Sequence, residues 1–128
     1  MTDKELLTLA EAMKQKAYAP YSNFPVGAAL LCEDGGVFTG CNVENATYGA
    51  CICAEQTAIV KAVSEGQQSF RTIAIAANSE EYCLPCGICR QIMSEFAPNL
   101  EVICANKHGE NKSYKLDELF AQPFRLNE

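Results

Sequence analysis

Several absences narrow what this chain can do. It has a single histidine, His108, which lies among turn-forming residues and reads as a solvated side chain. Catalytic triads built on histidine are thereby excluded. No basic run exceeds a residue or two, and the formal net charge is -6. A nucleic-acid polymer is a poor partner for such a chain, because that binding depends on neutralised phosphates. No apolar stretch reaches the roughly 20 residues of a membrane helix, and Met1 to Glu5 hold no apolar signal core. No repeat, low-complexity tract or Pro/Gly/Ser linker interrupts residues 1–128, so a single domain is expected.

What remains is a 128-residue chain, 48% hydrophobic, long enough to bury a real core. Its acidic balance fits a small uncharged substrate better than a polyanion. Eight cysteines are many, but a chain this rich in core residues does not need disulfide staples. Reduced thiols and a cytoplasmic location are the expectation.

The pattern along the chain predicts alternating helices and strands. Thr2 and Glu5 form a capping box for a first helix. Leu6, Leu9, Ala10, Met13 and Ala17 recur at helical spacing as its buried stripe, and Tyr18-Ala19-Pro20-Tyr21 ends it. Val26 to Cys32 and Val37 to Cys41 read as a hairpin turned by Asp34-Gly35-Gly36, with a polar loop from Asn42 to Cys51. Cys53 to Ser64 reads as a helix closed by Gly66, and Thr72 to Ala77 as a central strand. Gly87 to Phe96 is a third helix. Leu100 to Ala105 and Ser113 to Lys115 are strands too close in sequence to be parallel, and Leu116 to Phe120 a last short helix. The expected fold is α/β, three layers (α-β-α) around a mixed five-stranded sheet.

Chemistry concentrates in Cys53-Ala54-Glu55 and Pro85-Cys86-Gly87-Ile88-Cys89. Both segments fall at predicted helix starts, where exposed N–H groups and the helix dipole favour thiolates, the form that binds metal. Cys86 and Cys89 stand three apart and can face one ion from a single turn. Three thiolates leave the fourth position of a zinc ion open for water, as in catalytic sites; structural zinc is closed by four protein ligands. Glu55 is placed to move protons to and from that water.

Two plainer readings compete. Cys51 could complete a closed four-thiolate zinc with Cys53, Cys86 and Cys89, although it would have to converge across a helix start and would leave Glu55 without purpose. Cys86 and Cys89 could instead form a redox pair, which leaves Cys53 and Glu55 unexplained. Cys32, Cys41, Cys83 and Cys104 read as small core or surface residues.

Nearly the whole chain resembles a known family, the small zinc-dependent cytidine deaminases of the homotetrameric type. The resemblance rests on Ala19-Pro20-Tyr21-Ser22-Asn23-Phe24-Pro25-Val26-Gly27-Ala28, on Gly40-Cys41-Asn42-Val43-Glu44-Asn45, on Cys53-Ala54-Glu55 and on Pro85-Cys86-Gly87-Ile88-Cys89-Arg90-Gln91. A Cys/His-x-Glu segment followed by Pro-Cys-x-x-Cys is the signature of zinc nucleobase deaminases. The resemblance implies one Zn2+ per chain on Cys53, Cys86 and Cys89, with Glu55 as proton shuttle. It assigns Asn42 and Glu44 to the ribose, Phe24 to stacking on the pyrimidine, and the backbone near Ala54 to the base. Tyr48 and, on a looser alignment, Phe124 match residues lent to a neighbour's pocket, implying a homotetramer with shared sites.

The chemistry agrees with that resemblance. Displacing ammonia from C4 of a cytosine ring needs hydroxide at neutral pH, and zinc can bring the pKa of water to about 7. One carboxyl group can take the water's proton and deliver it to N3 and to the leaving amine. The expected reaction is hydrolytic deamination of cytidine and deoxycytidine to uridine and deoxyuridine in pyrimidine salvage. The rivals are a deaminase of a cytosine-containing antibiotic nucleoside and a non-catalytic zinc-binding relative. No phosphate-binding Arg/Lys cluster favours a nucleotide. One position departs from the pattern: Gln56 stands where the family commonly has Arg. Gln brings N–H donors but no charge to offset three thiolates, so slower chemistry is expected unless the helix N-termini or Arg90 compensate.

Overall fold

The computed structural model describes residues 1–126. The first helix, α1 (Asp3–Met13), opens on the expected capping box, with Glu5 N–H on Thr2 Oγ1 at 3.2 Å and Thr2 N–H on Glu5 Oε1 at 2.8 Å. Leu6 and Ala10 are its buried residues, flanked by half-buried Leu9 and Met13. The helix does not run on to Ala17. One tight turn follows (Lys14–Lys16), and Ala17 is already extended. The cause lies just beyond, where the Tyr18 backbone bridges to Val43 and its N–H binds Asn42 O at 2.9 Å. Chain pairing there overrides the apolar spacing.

Strands β1 (Val26–Cys32) and β2 (Val37–Cys41) form the hairpin, turning through Gly35 at a φ of 95°, which suits glycine. Strand β3 (Phe70–Ala77) pairs antiparallel with β1 and parallel with β4 (Glu101–Ala105), and β5 (Asn111–Lys115) returns antiparallel to β4. The order is β2-β1-β3-β4-β5. Helix α2 (Ala54–Ser64) follows the loop after β2, α3 (Gly87–Phe96) makes the crossover between parallel β3 and β4, and α4 (Leu116–Leu119) follows β5. The strand β5 starts two residues earlier than its apolar content implies, because Asn111 and Lys112 pair with Ala105 and Cys104 as a polar edge.

The helices cover both faces. Helix α1 packs on Ala29, Leu31, Ala74, Ala76, Ile103 and Ala105, while α2 and α3 cover Ala28, Leu30, Ile73, Ile75, Val102 and Cys104. Burial on both sides explains the unbroken apolar run of β3. Backbones approach closely where glycine stands. A Cβ on Gly40 would lie 2.4 Å from Ala54 O and 2.6 Å from Ala58 N, so this glycine seats the start of α2 against β2.

Candidate active site

The ends of two helices meet at one point. Cys53 is the N-cap of α2 and Cys86 the N-cap of α3, one residue before their first turns, while Cys89 lies within the first turn of α3. Their sulfurs lie within 4.8 Å of one another. An ion holding sulfurs at about 2.3 Å in tetrahedral directions spaces them by about 3.8 Å. The Cys53 and Cys86 sulfurs are 3.8 Å apart. The donor set therefore fits zinc in both chemistry and spacing.

Cys51 stays outside the group. Its sulfur accepts from Asn45 N–H at 3.3 Å and approaches Asn45 O at 3.6 Å, facing its own loop. Cys83 is half-buried, and burial pushes its thiol up to about 12. All eight cysteines are free, so Cys86 and Cys89 form no disulfide. Among the described residues, the group that could hold a metal ion consists of three thiols, with no fourth protein ligand beside them. Hydrogen bonds from Cys89 and Cys86 hold the Cys53 thiol down to about 6, and Cys89, as donor to it, is raised.

Glu55, the second residue of α2, is 5% exposed. Burial raises its carboxyl to about 7, with the neighbouring charge of Cys53 pushing the same way. It lines a cleft of about 340 Å³ with Ser22, Phe24, Asn42, Glu44, Ala54 and Cys86. A larger hollow of about 710 Å³ lies beside α1, but no thiol or histidine lines it.

The cleft's far wall is held together internally. Asn42 Oδ1 accepts Val26 N–H at 2.8 Å and its Nδ2 donates to Phe24 O at 3.0 Å. Glu44 accepts the N–H groups of Tyr21 at 3.0 Å and Ser22 at 3.1 Å, and the Ser22 hydroxyl as well. The Ser22 hydroxyl is the first reason the Glu44 carboxyl sits below the usual range. Ser22, Ile52, Cys83 and Leu84 also line the cleft; only Ser22 belongs to a motif that marks it. Tyr48 and Phe124, 75% and 69% exposed, do not line this chain's cleft.

Gln56 supports Cys53 through its amide: its Oε1 accepts Cys53 N–H at 2.8 Å and so fixes the start of α2. Arg90 does not reach the thiols with its hydrogen bonds, which go to Pro85 O at 2.8 Å and Leu119 O at 2.7 Å. The helix N-termini are thus the positive features adjoining the sulfurs. His108 is exposed and bonds Glu80 at 3.0 Å.

Comparisons with known proteins point one way. A cytidine deaminase from Sporosarcina psychrophila is 42% identical over 97% of this chain and 92% of its own length. One from Halalkalibacterium halodurans is 43% identical over 95% of this chain and 94% of its own. The crystal structure of cytidine deaminase from Burkholderia pseudomallei superposes with a TM-score of 0.94 at 46% identity, covering 97% of this chain and all of that one. Residues 1–105 match the family described as "Cytidine and deoxycytidylate deaminase zinc-binding region". With three sulfurs grouped within 4.8 Å beside a buried carboxyl, the chain belongs to the cytidine and deoxycytidylate deaminase zinc-binding family.

Proposed function

We propose that this chain hydrolyses cytidine and deoxycytidine to uridine and deoxyuridine, releasing ammonia, as a step of pyrimidine salvage. The observation that carries the reading is the buried Glu55 carboxyl at the mouth of a three-thiol group. Cys53, Cys86 and Cys89 would hold one zinc, which supplies a Lewis acid and a water acidified toward neutral pH.

The remaining work belongs to the chain itself. Glu55, with a carboxyl near 7, can both accept and donate at neutral pH. It takes a proton from the attacking water and gives it to N3 of the ring, then takes the remaining proton of the new C4 hydroxyl and gives it to the departing amine. Water adds at C4, the C–N bond breaks, and the carboxyl ends as it began. Phe24 stacks on the pyrimidine, the backbone at Ala54 lies along its edge, and Asn42 and Glu44 face the sugar. A base without its sugar forgoes the contacts with Asn42 and Glu44, and should be a poor substrate.

The site is completed in a homotetramer, where Tyr48 and Phe124 reach a neighbour's cleft; both project from this chain without lining its own. The chain works as a single domain in the cytoplasm, consistent with eight unpaired thiols. No helix among the described residues is long and apolar enough to cross a membrane.

The direct test is a substrate panel on zinc-loaded protein: cytidine, deoxycytidine, cytosine and a cytosine-bearing antibiotic nucleoside. Turnover of both nucleosides with slow conversion of cytosine is expected. Turnover of the antibiotic alone would replace the substrate assignment, and no turnover of any would replace the enzyme reading.

A further inference from the structure

The segment carrying Phe24 is held by hydrogen bonds more than by packing. Residues Tyr21 to Phe24 are all exposed and belong to no helix or strand. Asn23 within it has a φ of 55°, a left-handed conformation that asparagine tolerates better than most side chains, and its N–H bonds Ala19 O at 3.0 Å. A short chain of polar contacts fixes the residue that follows. The Ser22 hydroxyl donates its single proton to Glu44 Oε2, and Ser22 Oγ in turn accepts Phe24 N–H at 3.0 Å. The other backbone group of Phe24, its carbonyl, is taken by Asn42. Both polar backbone atoms of the aromatic residue are therefore fixed by groups that line the same cleft.

We infer that Ser22 is a positioning residue that couples the sugar-facing carboxylate of Glu44 to the base-facing ring of Phe24. The inference rests on the nucleoside reading given above. The direction of the relay follows from donor counting. A carboxylate can only accept, so the hydroxyl proton must point to Glu44, leaving a lone pair on Ser22 Oγ for Phe24 N–H. A hydroxyl from a bound sugar would add a fourth donor to the Glu44 carboxylate, which already accepts three, and restrain it further. The coupling is positional: a sugar that restrains the Glu44 carboxylate restrains the hydroxyl bonded to it, and with that hydroxyl the Phe24 N–H, so a sugar at Glu44 steadies the ring that faces the base. A base lacking its sugar leaves the relay unreinforced. Ser22 thus contributes to discrimination between nucleoside and free base without itself reaching the reacting atoms.

The experiment compares wild type, Ser22→Ala and Ser22→Thr on two matched pairs. Turnover is measured on cytidine and 1-methylcytosine, and calorimetric binding on uridine and 1-methyluracil. Zinc content is measured on every sample, and Ser22→Ala is repeated in a Phe24→Ala background. Ser22→Ala should weaken uridine binding and lower kcat/KM for cytidine by about tenfold, the scale of one hydrogen bond to a charged group. The sugarless ligands should lose about twofold or less, zinc should be unchanged, and Ser22→Thr should restore most of the loss. In the Phe24→Ala background the second substitution should add little. Equal losses on sugar-bearing and sugarless ligands, or fully additive losses with Phe24→Ala, would overturn the coupling. Uridine binding with the predicted coupling but no turnover of cytidine would leave the coupling standing and remove the deaminase reading. Failure of the wild type to bind uridine at all would overturn both.

Discussion

A carboxyl group buried beside three sulfurs is out of balance in the metal-free chain, and Glu55 shows it in a pKa raised to about 7. A raised acid favours the protonated form in the fold, so stability is lost as pH rises from the ordinary carboxylate value of 4.5 through 7. Glu55→Gln removes the ionisable group and keeps the shape. In chelator-treated protein it should gain about 3 kcal/mol at pH 8 and little at pH 4, read by denaturant unfolding; an equal gain at both would show burial of charge is not the cause. Gln56→Arg tests a second residue. Arg can supply positive charge near the thiolates but cannot accept Cys53 N–H as Gln56 Oε1 does. Faster turnover together with a loss of about 1 kcal/mol in stability is expected. An unchanged or lower kcat would remove charge from the explanation. The three grouped cysteines and Glu55 are legible in the sequence because their spacing and chemistry occur together. The internal bonds of Asn42 and the place of Cys83 in the cleft wall are not, since each depends on contacts made across the fold.

Elements carry the ligands to their meeting point, and their order is legible from periodicity and turn residues. The hairpin β1–β2, helix α3 and the antiparallel return of β5 follow from local signals alone. Where local signals mislead, a distant partner is responsible: α1 stops at Met13 because Tyr18 pairs with Val43, and β5 lengthens because β4 offers partners to polar residues. The closeness of α2 to β2 is another such effect, hidden in a glycine. Gly40→Ala would press a methyl group against the Ala54 carbonyl and push away the helix that bears Cys53 and Glu55. A loss of about 1–3 kcal/mol and weaker zinc retention against a competing chelator are expected. Full zinc affinity in a protein as stable as wild type would show that α2 is not seated through this contact.

At the scale of the molecule, one chain leaves large apolar side chains in the open. Ile52 and Leu84, which line the cleft, are 40% and 43% exposed, and Tyr48, Ile88 and Phe124, outside it, more so. Exposed apolar side chains fit the proposed assembly, for which sedimentation should give the mass of four 13.9 kDa chains. Phe124→Ala should reduce turnover while zinc content holds; a fully active monomer would contradict shared sites. Assembly is not legible from composition or spacing, because nothing local records which surface meets a copy. The central claim is narrower, that three thiols hold zinc while Glu55 moves the protons. Its most direct test is zinc content and cytidine-to-uridine conversion on one purified sample, with Glu55→Ala alongside. One zinc per chain in both proteins, with turnover lost only in the variant, is the predicted result. Turnover that survives in Glu55→Ala, or a folded wild type that binds no zinc, would contradict it.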